Sequence, residues 1–236
     1  NPPMDEISRT SYTFDPTRPV PSIGGNVSSL SEISDFPIGI GNSEYAPKAL
    51  RVHEVMKAGG FNQVEGKEFY GCEPPYLPLN SRPDVLSFLT EQLNEKVEIT
   101  GPVDLKLWVT TSAVDTDFTA KLIDVYPPSE WYPFGYALNL SDSIIRLRYR
   151  NGFNNQELLS PGDIVCLNIK LYPISNIFDT SHQIRLDISS SNFPRFDVNP
   201  NSGEPLSLNR RWLKADNTIF HEMDHSSFIT LPVIEK

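Results

Sequence analysis

Near the end of the sequence, His221-Glu222-Met223-Asp224-His225 reads H-E-x-x-H. On a helix this spacing puts two imidazoles on one face as zinc ligands, with the glutamate as general base for a metal-bound water. That chemistry needs a helix and a further ligand from elsewhere in the chain. The surrounding residues point the other way. Asn217-Thr218-Ile219-Phe220 are poor helix formers, and Phe228-Ile229-Thr230-Leu231-Pro232-Val233 is β-branched and aromatic, with a proline that breaks helices. Eleven residues follow His225, and Glu235 is the one carboxylate among them. The stretch reads as strand, acidic turn, strand, and no metal is assigned to it.

Other reactive constellations are weaker still. Gly41-Asn42-Ser43-Glu44-Tyr45 lacks the second glycine of the G-x-S-x-G nucleophile elbow. No P-loop or dinucleotide-binding glycine pattern occurs. Cys72 paired with a distant histidine would be a nucleophile without local support. Cys166 lies in an apolar run, where a small buried thiol is the ordinary reading, and two cysteines do not make a disulfide framework. Asp115-Thr116-Asp117, with Asp124 beyond, could offer oxygens to calcium. The rest of a shell of about six to eight oxygens is not identifiable, so a tight turn is the better reading. No catalytic residue and no cofactor is assigned.

The elements that would have to position any site follow from composition and pattern. A formal charge of -10 over 236 residues argues against nucleic acid and against anionic membrane surfaces as partners. No apolar run approaches a membrane span and no signal-peptide pattern opens the chain, so the expectation is a cytoplasmic protein, with secretion left open. The sequons at Asn26 and Asn139 are taken as chance. The opening Asn1-Pro2-Pro3, without a methionine, implies a processed product or a piece of a longer polypeptide.

One domain over 1–236 is expected, made of an extended Pro/Gly-rich N-terminal arm (1–26), a loop-rich insertion (27–80) and a sandwich core (82–236). In the arm, each proline of Asp15 to Gly25 pushes its predecessor toward extended geometry. "YAPKALRVHEVMKAGG" could hold one short helix carrying Leu50, Val52, Val55 and Met56, stopped by Gly59-Gly60. From Pro83 onward the period is two. Val103, Leu105, Leu107 and Val109 face one side and Asp104, Lys106 and Thr110 the other. Ile145, Leu147 and Tyr149 alternate with Arg146, Arg148 and Arg150; Val165, Leu167, Ile169 and Leu171 form a third run, and Ile184, Leu186 and Ile188 a fourth. Such strands, separated by turn residues, predict antiparallel sheets with one buried and one solvated face each: an all-β jelly-roll β-sandwich.

The least ordinary stretch runs from Ser189 to Gly203. Phe193 and Phe196 need burial, Arg195 needs an anionic partner, and Asn199-Pro200-Asn201-Ser202-Gly203 sets turns. It could plug the end of the sandwich or pack against another domain.

"SSSNFPRFDVNPNSG", with "RPDVLSFLTE", "DTDFTAKLIDVYP", "IIRLRYR" and "FDPTRPVPSIGGN", resembles the C-terminal domain of the X-Pro dipeptidyl-peptidase and cocaine esterase (CocE/NonD) hydrolase family. The closing "ADNTIFHEMDHSSFITLPVIEK" resembles that domain's last strands. The likeness covers Tyr12 to Gly25 and Arg82 to the end, leaving about 27–80 as an expanded insertion. It implies a galactose-binding-like jelly roll and places the Ser-His-Asp triad outside this stretch, on an α/β-hydrolase domain of the same polypeptide. The loop residues Phe193, Arg195, Phe196 and Asn199 are then expected at the interface with that domain, helping to wall its substrate cleft, and homo-oligomerisation through an exposed sheet is a further expectation. The competing class is a stand-alone carbohydrate-binding module, with a sugar stacked on Trp108, Trp131 or Trp212.

Overall fold

The computed structural model describes residues 8–25 and 56–235. Nine strands follow in order: β1 (Arg9–Phe14), β2 (Leu86–Leu89), β3 (Val97–Thr111), β4 (Asp117–Tyr126), β5 (Tyr136–Arg146), β6 (Val165–Phe178), β7 (Gln183–Ser189), β8 (Ala215–Phe220) and β9 (Phe228–Thr230). All pair antiparallel. One sheet has the order β1-β8-β3-β6, with β9 also on β3, and the other β2-β7-β4-β5. Only the β4–β5 hairpin stays within its sheet among the connections from β2 to β8; the others cross between layers, as in a jelly roll. No helix among the described residues is long and apolar enough to cross a membrane.

The alternation seen in the sequence builds the core. Val103, Leu105, Leu107 and Val109 of β3 and Leu167, Ile169 and Leu171 of β6 meet Phe118, Ala120 and Leu122 of β4 and Ile188 of β7, with Phe14 and Ile219 beside them. Their outward neighbours on β3 and β6 are more exposed, as a half-solvated sheet requires.

The second sheet departs from that rule. On its outer face Lys121 of β4 stands opposite Asp142 of β5 and Asp187 of β7, and all three are buried. The N-terminal arm and the segment before β2 supply the cover. Gln63 Oε1 lies 3.4 Å from Lys121 Nζ, and Gly25 sits against Asp142 and Arg195. Val20 and Ile23 of the arm form a second apolar cluster with Phe69, Leu79 and Val85. Phe61–Gln63 also pairs along the free edge of β5, where Gln63 N–H donates to Ala137 O at 2.9 Å. The expectation of a solvated face on each sheet is therefore corrected around Lys121, where the outer face is polar but dry. Gly24 makes the turn possible, since at φ +65° a Cβ would fall 2.4 Å from Gly59 O.

The run Ile145, Leu147, Tyr149 is corrected too. β5 ends at Arg146, and Leu147–Tyr149 forms one 3-10 turn. Leu147 N–H donates to Thr116 O (2.9 Å) and Arg148 N–H to the Asp115 carboxylate (2.9 Å), so the backbone bends toward the β3–β4 turn instead of extending the ladder. Most of the helix expected around residues 45–60, like Asn26 and Ser43, lies outside the described residues. Its last residues, 56–60, carry no helix, and Gly59 bridges Gly25. Asn139, the other sequon, is buried, which is incompatible with a glycan in the folded chain.

Truncating Phe118, fully buried between the sheets, leaves a cavity that neighbouring strands cannot close. Phe118→Ala is expected to cost about 3–5 kcal/mol. Urea unfolding should show a lower midpoint at unchanged slope.

Candidate functional site

The turn between β3 and β4 carries Asp115 and Asp117, both buried. Arg146, the last residue of β5, reaches Asp117 with two nitrogens at 2.8 and 2.9 Å. Arg148 meets Asp115 through Nε at 2.7 Å. Asn199, from the β7–β8 connection, donates to both carboxylates at 2.9 and 2.8 Å. Of the oxygens weighed above as calcium ligands, those of Asp115 and Asp117 are thus taken up by two guanidiniums and an amide, while Asp124 is held apart by His182 at 2.8 Å and Asn176 at 3.2 Å. Arg148 Nη1 also donates to Glu204 O at 3.1 Å, which ties in the far part of the same connection. The arrangement offers no nucleophile or general base. It locks three loops, from both sheets, at one end of the sandwich.

The four residues expected at an interface fall into two groups. Asn199 is buried inside this ion network. Phe193, Arg195 and Phe196 lie together, partly exposed, on the loop above it. The Phe193 backbone bonds to Val20 and Ser22 of the arm, and its ring lies 5.9 Å from that of Tyr70. Arg195 pairs with Asp142, which Asn192 also holds at 3.0 Å, and its guanidinium lies 5.2 Å from the Phe196 ring centre. Around the same end the β5–β6 and β7–β8 connections expose Phe153 (88%), Leu208 (69%) and Trp212 (52%).

Sequence reasoning missed Asp142, Asp115, Arg148 and Lys121 as structural partners. The available signal was the cluster of charges within strands whose other residues pack, but charge alone does not tell a solvated residue from a paired one. The tryptophans do not share a surface. Trp108 is flanked by His225 at 4.9 Å and by Lys106. Trp131 sits in the β4–β5 hairpin, at the end of the sandwich opposite the connection that carries Trp212.

The H-E-x-x-H stretch is not helical. β8 and β9 lie end to end along one side of β3: Phe220 pairs with Trp108 and Phe228 with Lys106, and residues 221–227 loop out between them. Ser227 Oγ accepts the Trp108 N–H at 2.9 Å where the ladder is interrupted. His221 Nε2 lies 3.1 Å from Thr10 Oγ1, whereas His225 Nδ1 lies 2.7 Å from Glu222 Oε1. The two rings are engaged by different partners. His221 borders an apolar cavity of about 190 Å³ walled by Phe88, Leu105, Leu186 and Ile219, and burial pulls its pKa down.

Two outcomes are expected. Asp115→Ala strands the buried Arg148 charge and should destabilise the protein by about 3–5 kcal/mol in denaturant titration, whereas Asp115→Ala with Arg148→Met should recover much of the loss. For His221, the unfolded chain binds a proton more readily than the folded one. Its contribution is therefore present above the unfolded pKa of about 6.5 and declines as pH falls below it toward the lower folded value. His221→Gln should flatten the slope of stability against pH in that window.

A family model described as the X-Pro dipeptidyl-peptidase C-terminal non-catalytic domain matches residues 13–230. The chain is 35% identical over 231 residues to a cocaine esterase of Rhodococcus sp. (strain MB1 Bresler), covering 97% of this chain and 33% of that protein. Among solved structures it is similar to a selenomethionine-labelled α-amino acid ester hydrolase, with 27% identity and a TM-score of 0.73, over 99% of this chain and 34% of that one. An aminopeptidase from a marine sediment Thaumarchaeota archaeon, at 24% identity, shares the fold with a TM-score of 0.73 over 100% of this chain and 34% of its own. The chain thus spans about a third of the length of these relatives.

Proposed function

Since the chain belongs to the family of X-Pro dipeptidyl-peptidase C-terminal non-catalytic domains, we propose that it is the C-terminal β-sandwich of a serine hydrolase acting on ester or amide bonds. An α/β-hydrolase domain of the same polypeptide carries the chemistry. There a serine attacks the carbonyl, a histidine shuttles the proton, and an oxyanion hole holds the developing charge. This chain docks on that domain and contributes one wall of its substrate cleft.

The observation that carries this reading is the coverage: almost all of this chain aligns with only a third of an esterase. The ion-paired end of the sandwich supports it as the docking end. Phe153, Leu208 and Trp212 offer apolar area there, of the kind that marks interaction surfaces. The loop of Phe193, Arg195 and Phe196 is braced from beneath by Asn199 and anchored through Asp142. A wall so supported keeps its shape when substrate arrives, which is what positioning requires.

Two measurements test the proposal. The native polypeptide is expected to have a mass at least about twice the 26.6 kDa of this chain. In that full-length enzyme, Phe196→Ala should raise KM about fivefold or more with kcat nearly unchanged, the mark of lost ground-state contact. A native species of 26.6 kDa, or a variant with unaltered KM and melting temperature, would overturn it.

A further inference from the structure

On the outer face of the second sheet, the arm and the segment before β2 cover only part of the surface. The remainder, toward the β4–β5 hairpin, is a cleft of about 530 Å³, within the usual range of about 300–1,000 Å³ for small-ligand sites. Its lining includes Tyr126, Phe134 and Tyr136, the amides Asn80 and Gln92, and Arg185 of β7. Tyr126 and Tyr136 meet edge to face at 5.9 Å, so these rings are held by their own packing. Phe134 is wholly exposed. The side chains of Asn80 and Gln92 make no hydrogen bond among the described residues, and both residues are exposed.

Arg185 is the unusual member. It is 4% exposed, so it is built into the fold and not draped on it. One terminal nitrogen donates to Asp187 at 3.0 Å, while Nε has no partner among the described residues. That Nε is itself enclosed, so what the cleft can use is the donor capacity left on the terminal nitrogens beside Asp187. Guanidinium favours carboxylate because its planar fork matches two oxygens.

We infer that this cleft binds a small acidic sugar of the hexuronic acid type, with the ring against Tyr136 and Phe134, hydroxyls on the amides of Asn80 and Gln92, and the carboxylate directed to Arg185. Each group in the cleft then has one task. A neutral hexose forgoes a charge-assisted contact with the guanidinium that Asp187 only partly occupies, and an acid without hydroxyls leaves the amides unused. The formal charge of -10 on the chain repels long polyanions, so the ligand is one or two rings.

The test is calorimetric titration of the full-length protein with glucuronate and galacturonate, with glucose and galactose as neutral controls. The uronates are expected to bind about tenfold or more tightly than the matching hexoses, as one charge-assisted contact provides. Phe134→Ala should weaken uronate binding several-fold at unchanged melting temperature. Arg185→Gln should erase the difference between acid and neutral sugar. If that variant fails to fold because Asp187 is left unpaired, Gln92→Ala replaces it and should weaken both sugars alike. Equal affinity for acid and hexose, no saturable binding of either, or binding indifferent to Phe134→Ala would overturn the inference. None of these readouts depends on whether a hydrolase domain is attached.

Discussion

Two aspartates on one turn, met by two arginines with a single residue between them, are the constraint on which one whole end of this sandwich depends. Asp115 and Asp117 would repel each other and pay heavily for burial if left alone. Arg146 and Arg148 neutralise them at 2.8 and 2.7 Å, and the Asn199 amide donates to both. Such buried pairs add little net stability over an apolar core, because desolvation offsets most of the attraction. What they supply is geometry. The chain must leave β5 at Arg146 and turn, and the β7–β8 connection must bring Asn199 back beneath it. Arginine suits this task better than lysine, since its fork holds two acceptors in a fixed plane.

A similar logic operates on the second sheet. Lys121, flanked by Asp142 and Asp187 on neighbouring strands, would ordinarily face water. Covered by the arm, it has its pKa drawn down by burial while the two carboxylates oppose the fall. The arm therefore does more than decorate the sheet: it converts a surface cluster into an interior one. Arg195 connects the two regions, because the carboxylate it pairs with, Asp142, lies within this cluster, while its own loop ends in Asn199.

The core was legible because burial on one face leaves a period of two in the residues, as in Val103 to Val109 and Val165 to Leu171. The loop after β7 was legible as unusual for its density of asparagine, proline and phenylalanine. Three features were not. Arg148 reads as an outward residue in an alternating run, and only the carboxylate from a distant turn reveals that it points in. The dry part of the outer face depends on residues distant in sequence, Gln63 being 58 positions from Lys121 and Gly25 farther still from Asp142, which local pattern does not encode. The cleft with Arg185 is assembled from six separate stretches, each ordinary alone. H-E-x-x-H shows the converse: a motif complete in letters, yet displayed by a loop between two strands, where its histidines find separate partners.

The pair of backbone hydrogen bonds between Gly25 and Gly59, at 2.7 and 3.0 Å, fastens the N-terminal arm to the segment before β2. The two strips that cover the second sheet are thereby joined edge to edge. Neither can peel back alone without breaking that joint, so wetting the Lys121 cluster requires both to lift together as one cooperative opening.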